Sequence, residues 1–267
     1  MTALIDHLTQ IYRLTARSLF ALPLAFALPV MAEAVQHLVE FWLGMFISGD
    51  GIQPGRETAI RMGFGVVKIA AILFTVVVMA RYFLHDFDRE NAMNFSRSSR
   101  SAILASMLFM IVLIVLATIV SPWIDTLAEA HLPFIPNSFR RFIPVLVLLG
   151  LTYPIQKKTL GAIAEILDDV PLDDVKKAAA SKALLRNSWL PLLIAVAPAM
   201  ALHYKLNSFA VDAEFSTQLA LLTADSLLVG AMSVLIAAAT FRTYHDAKLS
   251  AHSRIDAVHR EGNASHE

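Results

Sequence analysis

Long apolar runs alternate with short polar segments along most of this chain. The runs cover 18–47, 63–84, 102–123, 142–155, 190–206 and 217–241. A hydrocarbon core about 30 Å thick is crossed by roughly 20 apolar helical residues. The pattern therefore predicts an all-α, polytopic membrane helix bundle with about six transmembrane helices. The first run is over-long for one crossing and contains Pro23 and Pro29. The fourth is short and bounded by Pro144 and Pro154, and the fifth contains Pro191 and Pro198. Proline inside a helix frees a carbonyl that a neighbouring helix can satisfy in a bundle.

The basic residues give the bundle an expected orientation. Sixteen of the 22 Lys and Arg residues fall on one set of alternate segments: the N-terminus, the second loop, the fourth loop and the tail. Five fall on the opposite set: Arg56, Arg61, Arg140, Arg141 and Lys205. Positive charge stays on the cytoplasmic side, so both termini are expected there. Trp42 and Trp123 then mark the outer interface and Trp189 the inner one. Arg13, Arg17 and the small pair Ala32/Ala34 also imitate a cleavable signal peptide, but the helical pattern continues through residues 35–47.

The expected organisation is a single bundle domain over 1–248, with cytoplasmic amphipathic helices within 157–186, and a polar, frayed tail over 249–267. Apolar residues make up 57% of the chain and charged residues 16%. That is well outside the balance of a soluble domain. The net charge is zero and there is no cysteine. Nucleic acid is therefore not an expected partner, and thiol chemistry is excluded. No Gly-rich phosphate loop, serine elbow or HExxH occurs, so no cofactor is expected and the chain reads as non-enzymatic.

Ionisable residues inside the runs are the candidate chemistry, because a bilayer rejects charge at mid-depth. Glu33, His37 and Glu40 are four and three residues apart and share one helix face. Lys68, His203 and Asp225 lie in the second, fifth and sixth runs. Asp225 is eight residues beyond Thr217, about 12 Å at helical rise, and Glu33 is a similar distance from Trp42. Glu33, His37, Lys68 and Asp225 are thus the binding or proton-coupling candidates, in a polar cavity open to the outer side. Structural or interfacial roles, with Lys68 snorkelling outward, are the alternative. Glu33, His37 and Glu40 could serve as metal ligands only if a partner helix closed the site.

A second cluster, Asp168, Asp169, Asp173 and Asp174, reads as LDDV-Pro-LDDV. Asp-rich runs of this kind hold Mg²⁺ on pyrophosphate. A helix capped by Asp169 with Pro171 in its first turn explains the same residues. Helical spacing of His245, His252, His259 and His266 in the tail is explained by chance on a solvated helix.

Two stretches, KAAASKALLRNSWLPLLIAVAPAM from residue 177 and AAATFRTYHDAK from residue 237, resemble a bacterial six-helix inner-membrane family. That family includes the YciC-like proteins and the membrane domain attached to some glycerophosphodiester phosphodiesterases. The resemblance implies an accessory protein of the bacterial inner membrane near lipid or small-solute traffic, and supplies no catalytic residue. Three functions follow as expectations. The first is a non-enzymatic protein assisting transport or organisation of a lipid or small solute. The second is a proton-coupled carrier using the outer polar cluster, and the third a Mg-dependent lipid enzyme using the Asp cluster. Membrane lipid is the expected partner, with a homo-oligomer or another membrane protein compatible.

Overall fold

A computed structural model of the chain describes residues 2–47, 54–132, 134, 166–167 and 174–264. Among the described residues every regular element is a helix. These are α1 (Thr2–Ser18), α2 (Pro23–Trp42), α3 (Pro54–Leu84), α4 (Arg89–Met93), α5 (Arg97–His131), α6 (Asp174–Ala210) and α7 (Phe215–Ala264). Over Pro23–Trp42, Ile60–Leu84 and Phe215–Asp246 the chain is long and apolar enough to cross a membrane, which marks it as a membrane protein. The runs 102–123 and 190–206 fall within α5 and α6. The run 142–155 lies outside the described residues.

The over-long first run is resolved by local chemistry. Pro23 opens α2 at a position where no amide donor is needed. Gly44 closes it at φ +70°, a conformation that costs glycine little. Around that turn the Gly44 amide donates to the Phe41 carbonyl and the Met45 amide to the Glu40 carbonyl, so the last turn leaves fewer orphan acceptors. Pro29 sits inside α2 and cannot donate to the carbonyl four residues back, that of Ala25. The Thr75 hydroxyl of α3 donates to this same carbonyl. One helix thus repairs the gap that proline leaves in its neighbour.

The chain divides into two compact units, Met1–Phe95 with Ala183–Glu267, and Ser96–Lys182. In the first, α2, α3 and α7 pack on one another and α1 lies along α7. Ala237, Ala238 and Ala239 of α7 are buried, as are Val78 and Met79 of α3. Small residues let membrane helices approach closely. At Gly230 a Cβ would stand 2.5 Å from Val30 Cγ2 and 2.9 Å from the Phe26 ring. Gly63 and Gly65, by contrast, have open space around them. The α6–α7 turn is pinned to the end of α2 by the Asp212 amide, which donates to the Phe46 carbonyl at 2.9 Å.

The α3–α4 turn is closed from inside. Arg81 is 1% exposed and donates to the carbonyls of Ala92, Asn91 and Asn94, with its guanidinium 4.9 Å from the Phe95 ring centre. Asp88 caps α4 by accepting from the amides of Glu90 (2.8 Å) and Asn91 (3.3 Å). The Asn91 and Glu90 amides hold its carboxyl below the usual carboxylate range.

In the second unit, Ser96 caps α5 by accepting from the Ser99 amide. Thirty-five residues of α5 give a rod about 50 Å long. Leu104, Leu108, Val112, Ile119 and Trp123 stand exposed along it.

Two elements run well past the apolar stretches they contain. α6 is continuous from Asp174 to Ala210, through Pro191 and Pro198. α7 continues through the polar tail to Ala264, where fraying was expected. The segment after Leu249 contains no proline, and Ala, Arg, Glu and Leu nearby favour helix.

Candidate functional site

The ionisable residues of the apolar runs converge in the first unit. α2 contributes Glu33, Gln36, His37 and Glu40, all buried on one face. α3 contributes Lys68 and Arg61, α6 His203 and Asn207, and α7 Asp225. Asp225 is fully buried and Glu33 is 1% exposed. These are groups that hydrocarbon would exclude, so their meeting point is a polar interior shielded by the four helices.

His37 is at the centre. Its Nε2 lies 2.9 Å from Asp225 Oδ2 and 3.4 Å from Glu33 Oε1. Its Nδ1 lies 3.3 Å from Glu40 Oε2. One imidazole therefore faces three carboxylates, each from a different direction. Each carboxylate is held in turn on other contacts. Lys68 Nζ is 2.7 Å from Glu33 Oε2. Gln36 Nε2 donates to Glu40 Oε1 at 2.9 Å, and Arg61 Nε is 3.4 Å from the same oxygen. His203 Nδ1 is 2.6 Å from Asp225 Oδ1, and Asn207 Nδ2 donates to Asp225 Oδ2 at 2.7 Å.

Two hollows flank this network. A polar cavity of about 370 Å³ is lined by Glu33, Gln36, Glu40, Arg61, Lys68 and His203, among others. An apolar groove of about 360 Å³ runs between α2 and α7, lined by residues such as Leu38, Phe41, Leu219 and Leu227, with His37 and Ser226 also on its wall. His37 lines the apolar groove, whereas Glu33 and Glu40, the α2 carboxylates it faces, line the polar cavity.

All four sequence candidates, Glu33, His37, Lys68 and Asp225, are brought together, and Glu40 and His203 join them. Lys68 is directed at Glu33 and is only 19% exposed. The partner helix that Glu33 and His37 need to close a ligand set is α7: Glu33, His37 and Asp225 each offer an atom within 4.8 Å of the others. Sequence reasoning missed Gln36 and Asn207. Asn207 is one helical turn beyond His203 and donates to its carbonyl. A polar residue at i+4 from a histidine inside an apolar run was the available signal. Of the Asp cluster, Asp168, Asp169 and Asp173 lie outside the described residues, and Asp174 begins α6.

Comparison with protein-family models, with characterised proteins and with solved structures finds no match for this chain.

Proposed function

We propose that the protein is a non-enzymatic, multi-pass protein of the bacterial inner membrane that assists passage of a small charged solute. The solute binds at the centre formed by Glu33, His37, Lys68 and Asp225. The observation behind this reading is that ionisable groups from four helices, those of α2 and α7 buried, meet beside a polar cavity of about 370 Å³. Burying charge in a membrane is costly and persists where a water-filled path or bound solute uses it. Six spans with both termini cytoplasmic fit the distribution of Lys and Arg, and the two family-like stretches fit an envelope role.

The chain has no native cysteine, so a single introduced thiol reports access cleanly. Ser208 lines the polar cavity. In oriented vesicles, Ser208→Cys is expected to react with a membrane-impermeant maleimide from the outer side. A thiol that stays unreactive from both sides, in protein that remains folded, would remove the carrier reading.

The apolar groove favours a second reading, in which the protein organises a lipid by holding an acyl chain between α2 and α7. Ala34 lines that groove. Under this reading Ala34→Cys reacts with a lipid-soluble maleimide and Ser208→Cys with neither reagent.

A further inference from the structure

We propose that His37, Glu33 and Asp225 form a binding site for one divalent transition-metal ion, such as Zn²⁺. This inference takes the ion as the charged solute of the reading above and rests on that reading for passage, though not for binding.

The first support is the direction of the donor atoms. With Nδ1–H of His37 donating to Glu40 Oε2, the Nε2 lone pair points at oxygens of two carboxylates on different helices. In that tautomer the facing lone pairs repel, so either a second proton on the ring or a metal ion lies between them. Metal–nitrogen and metal–oxygen bonds of about 2.0–2.1 Å in a tetrahedral site separate neighbouring ligand atoms by about 3.3 Å. The Nε2 separations here are 3.4 Å to Glu33 and 2.9 Å to Asp225. Small shifts would admit an ion.

Outer support is also in place. Ligating histidines generally donate their second nitrogen to a carboxylate, and ligating carboxylates are themselves hydrogen-bonded. Glu40 holds His37 Nδ1. Lys68 holds the Glu33 oxygen that faces away from His37, and His203 holds the far oxygen of Asp225. The outer partners thus grip each ligand and leave its inner atom turned to the centre. Asn207 shares Asp225 Oδ2, which has a second lone pair.

Charge gives an independent reason. Three carboxylates, Glu33, Glu40 and Asp225, face two permanent cations, Lys68 and Arg61. With both histidines neutral the centre carries one net negative charge, which a bound cation, in place of a proton on His37, can offset. Finally, Gln36 lines the polar cavity, is 8% exposed, and leaves its buried Oε1 without a donor. That oxygen can accept from a water on an ion's open coordination position. With imidazole and carboxylate donors and no thiolate, the set suits Zn²⁺, Mn²⁺ or Co²⁺ better than a soft metal.

The test uses the full chain, purified in detergent and equilibrated with buffered Zn²⁺ or, separately, Co²⁺. Metal content and the visible spectrum of bound Co²⁺ are read. The expected result is one ion per chain that depends on His37. His37→Gln, Glu33→Gln and Asp225→Asn should each weaken binding more than about tenfold, and Glu40→Gln about 10-fold. Lys68→Met should tighten binding about threefold or more, because removing a positive charge beside the ion outweighs the lost hold on the outer oxygen of Glu33. A general loss of structure cannot produce that opposite sign. Unchanged affinity in His37→Gln and Asp225→Asn, or no binding by the folded chain at micromolar free ion, overturns the site. If those variants do not fold, unchanged or weaker binding in Lys68→Met overturns it. Metal binding with an unreactive Ser208→Cys keeps the site and removes the carrier. A reactive Ser208→Cys without metal binding does the reverse.

Discussion

The pair Glu33–Lys68 allows a quantitative test of whether the buried charges act as one unit. Two unit charges 2.7 Å apart attract by about 6 kcal/mol at an effective dielectric of about 20. Desolvation takes back most of that sum, yet breaking a buried pair by removing one partner costs about 3–5 kcal/mol. The two single substitutions should not cost the same. Lys68→Met strands Glu33, which is 1% exposed and, among the described residues, keeps only His37 Nε2 nearby, at 3.4 Å. The expected loss is about 3 kcal/mol. Glu33→Gln strands Lys68, which lines the polar cavity and can turn its ammonium toward water. About 1–2 kcal/mol is expected there. The double variant should be more stable than the sum of both losses by at least about 1 kcal/mol. Equilibrium unfolding in mixed micelles with a chelator present measures all four proteins. Additivity within about 0.5 kcal/mol would show that the two charges do not feel each other, and the site as described would be wrong.

Three further outcomes follow from the same packing. Thr75→Val leaves the Ala25 carbonyl, already deprived of its helical donor by Pro29, without a partner; unfolding should cost about 1–3 kcal/mol, and adding Pro29→Ala should recover part of it. Gly230→Ala places a methyl against Val30 and Phe26, so α2 and α7 must separate at a cost of about 1–3 kcal/mol, read as a lower Tm, whereas Gly63→Ala meets open space and should leave Tm unchanged. Asp88 has a depressed folded-state pKa, so its contribution to the α4 cap is complete above the ordinary carboxylate value and is lost as pH falls through the lower one; amide exchange at Glu90 and Asn91 should rise in that acid window, and the step should vanish in Asp88→Asn.

Periodicity made much of this site legible, and its limits have physical causes. Glu33, His37 and Glu40 could be assigned to one face because a helix repeats every 3.6 residues. Depth could be estimated because apolar runs in a bilayer have a fixed length. The pairing could not be read, since His37 and Asp225 are 188 residues apart and only the closed bundle brings them together. Arg81 was counted as a loop charge by position, but it is buried and holds the carbonyls that end α4. Nothing in local composition separates a snorkelling arginine from one folded back onto its own turn. The sixth run predicted a crossing, but not that Gly230 packs against Val30 and Phe26 of α2. Glycines 63 and 65, also small residues within an apolar run, stand in open space instead.

The charges also separate stability from function. Replacing a buried ion pair with well-packed neutral groups is often neutral or stabilising. Glu33→Gln with Lys68→Met can therefore approach the wild-type chain in stability, since both uncompensated charges disappear together. If the network existed only to hold helices, that double variant would be a complete substitute. The geometry around His37 argues otherwise: Glu33 turns one oxygen to Lys68 and the other to His37. Restoring neutrality without restoring that inner oxygen repairs the bundle but not the ligand set. A double variant that folds well and binds no metal would place the selective value of these costly residues in the ion they hold.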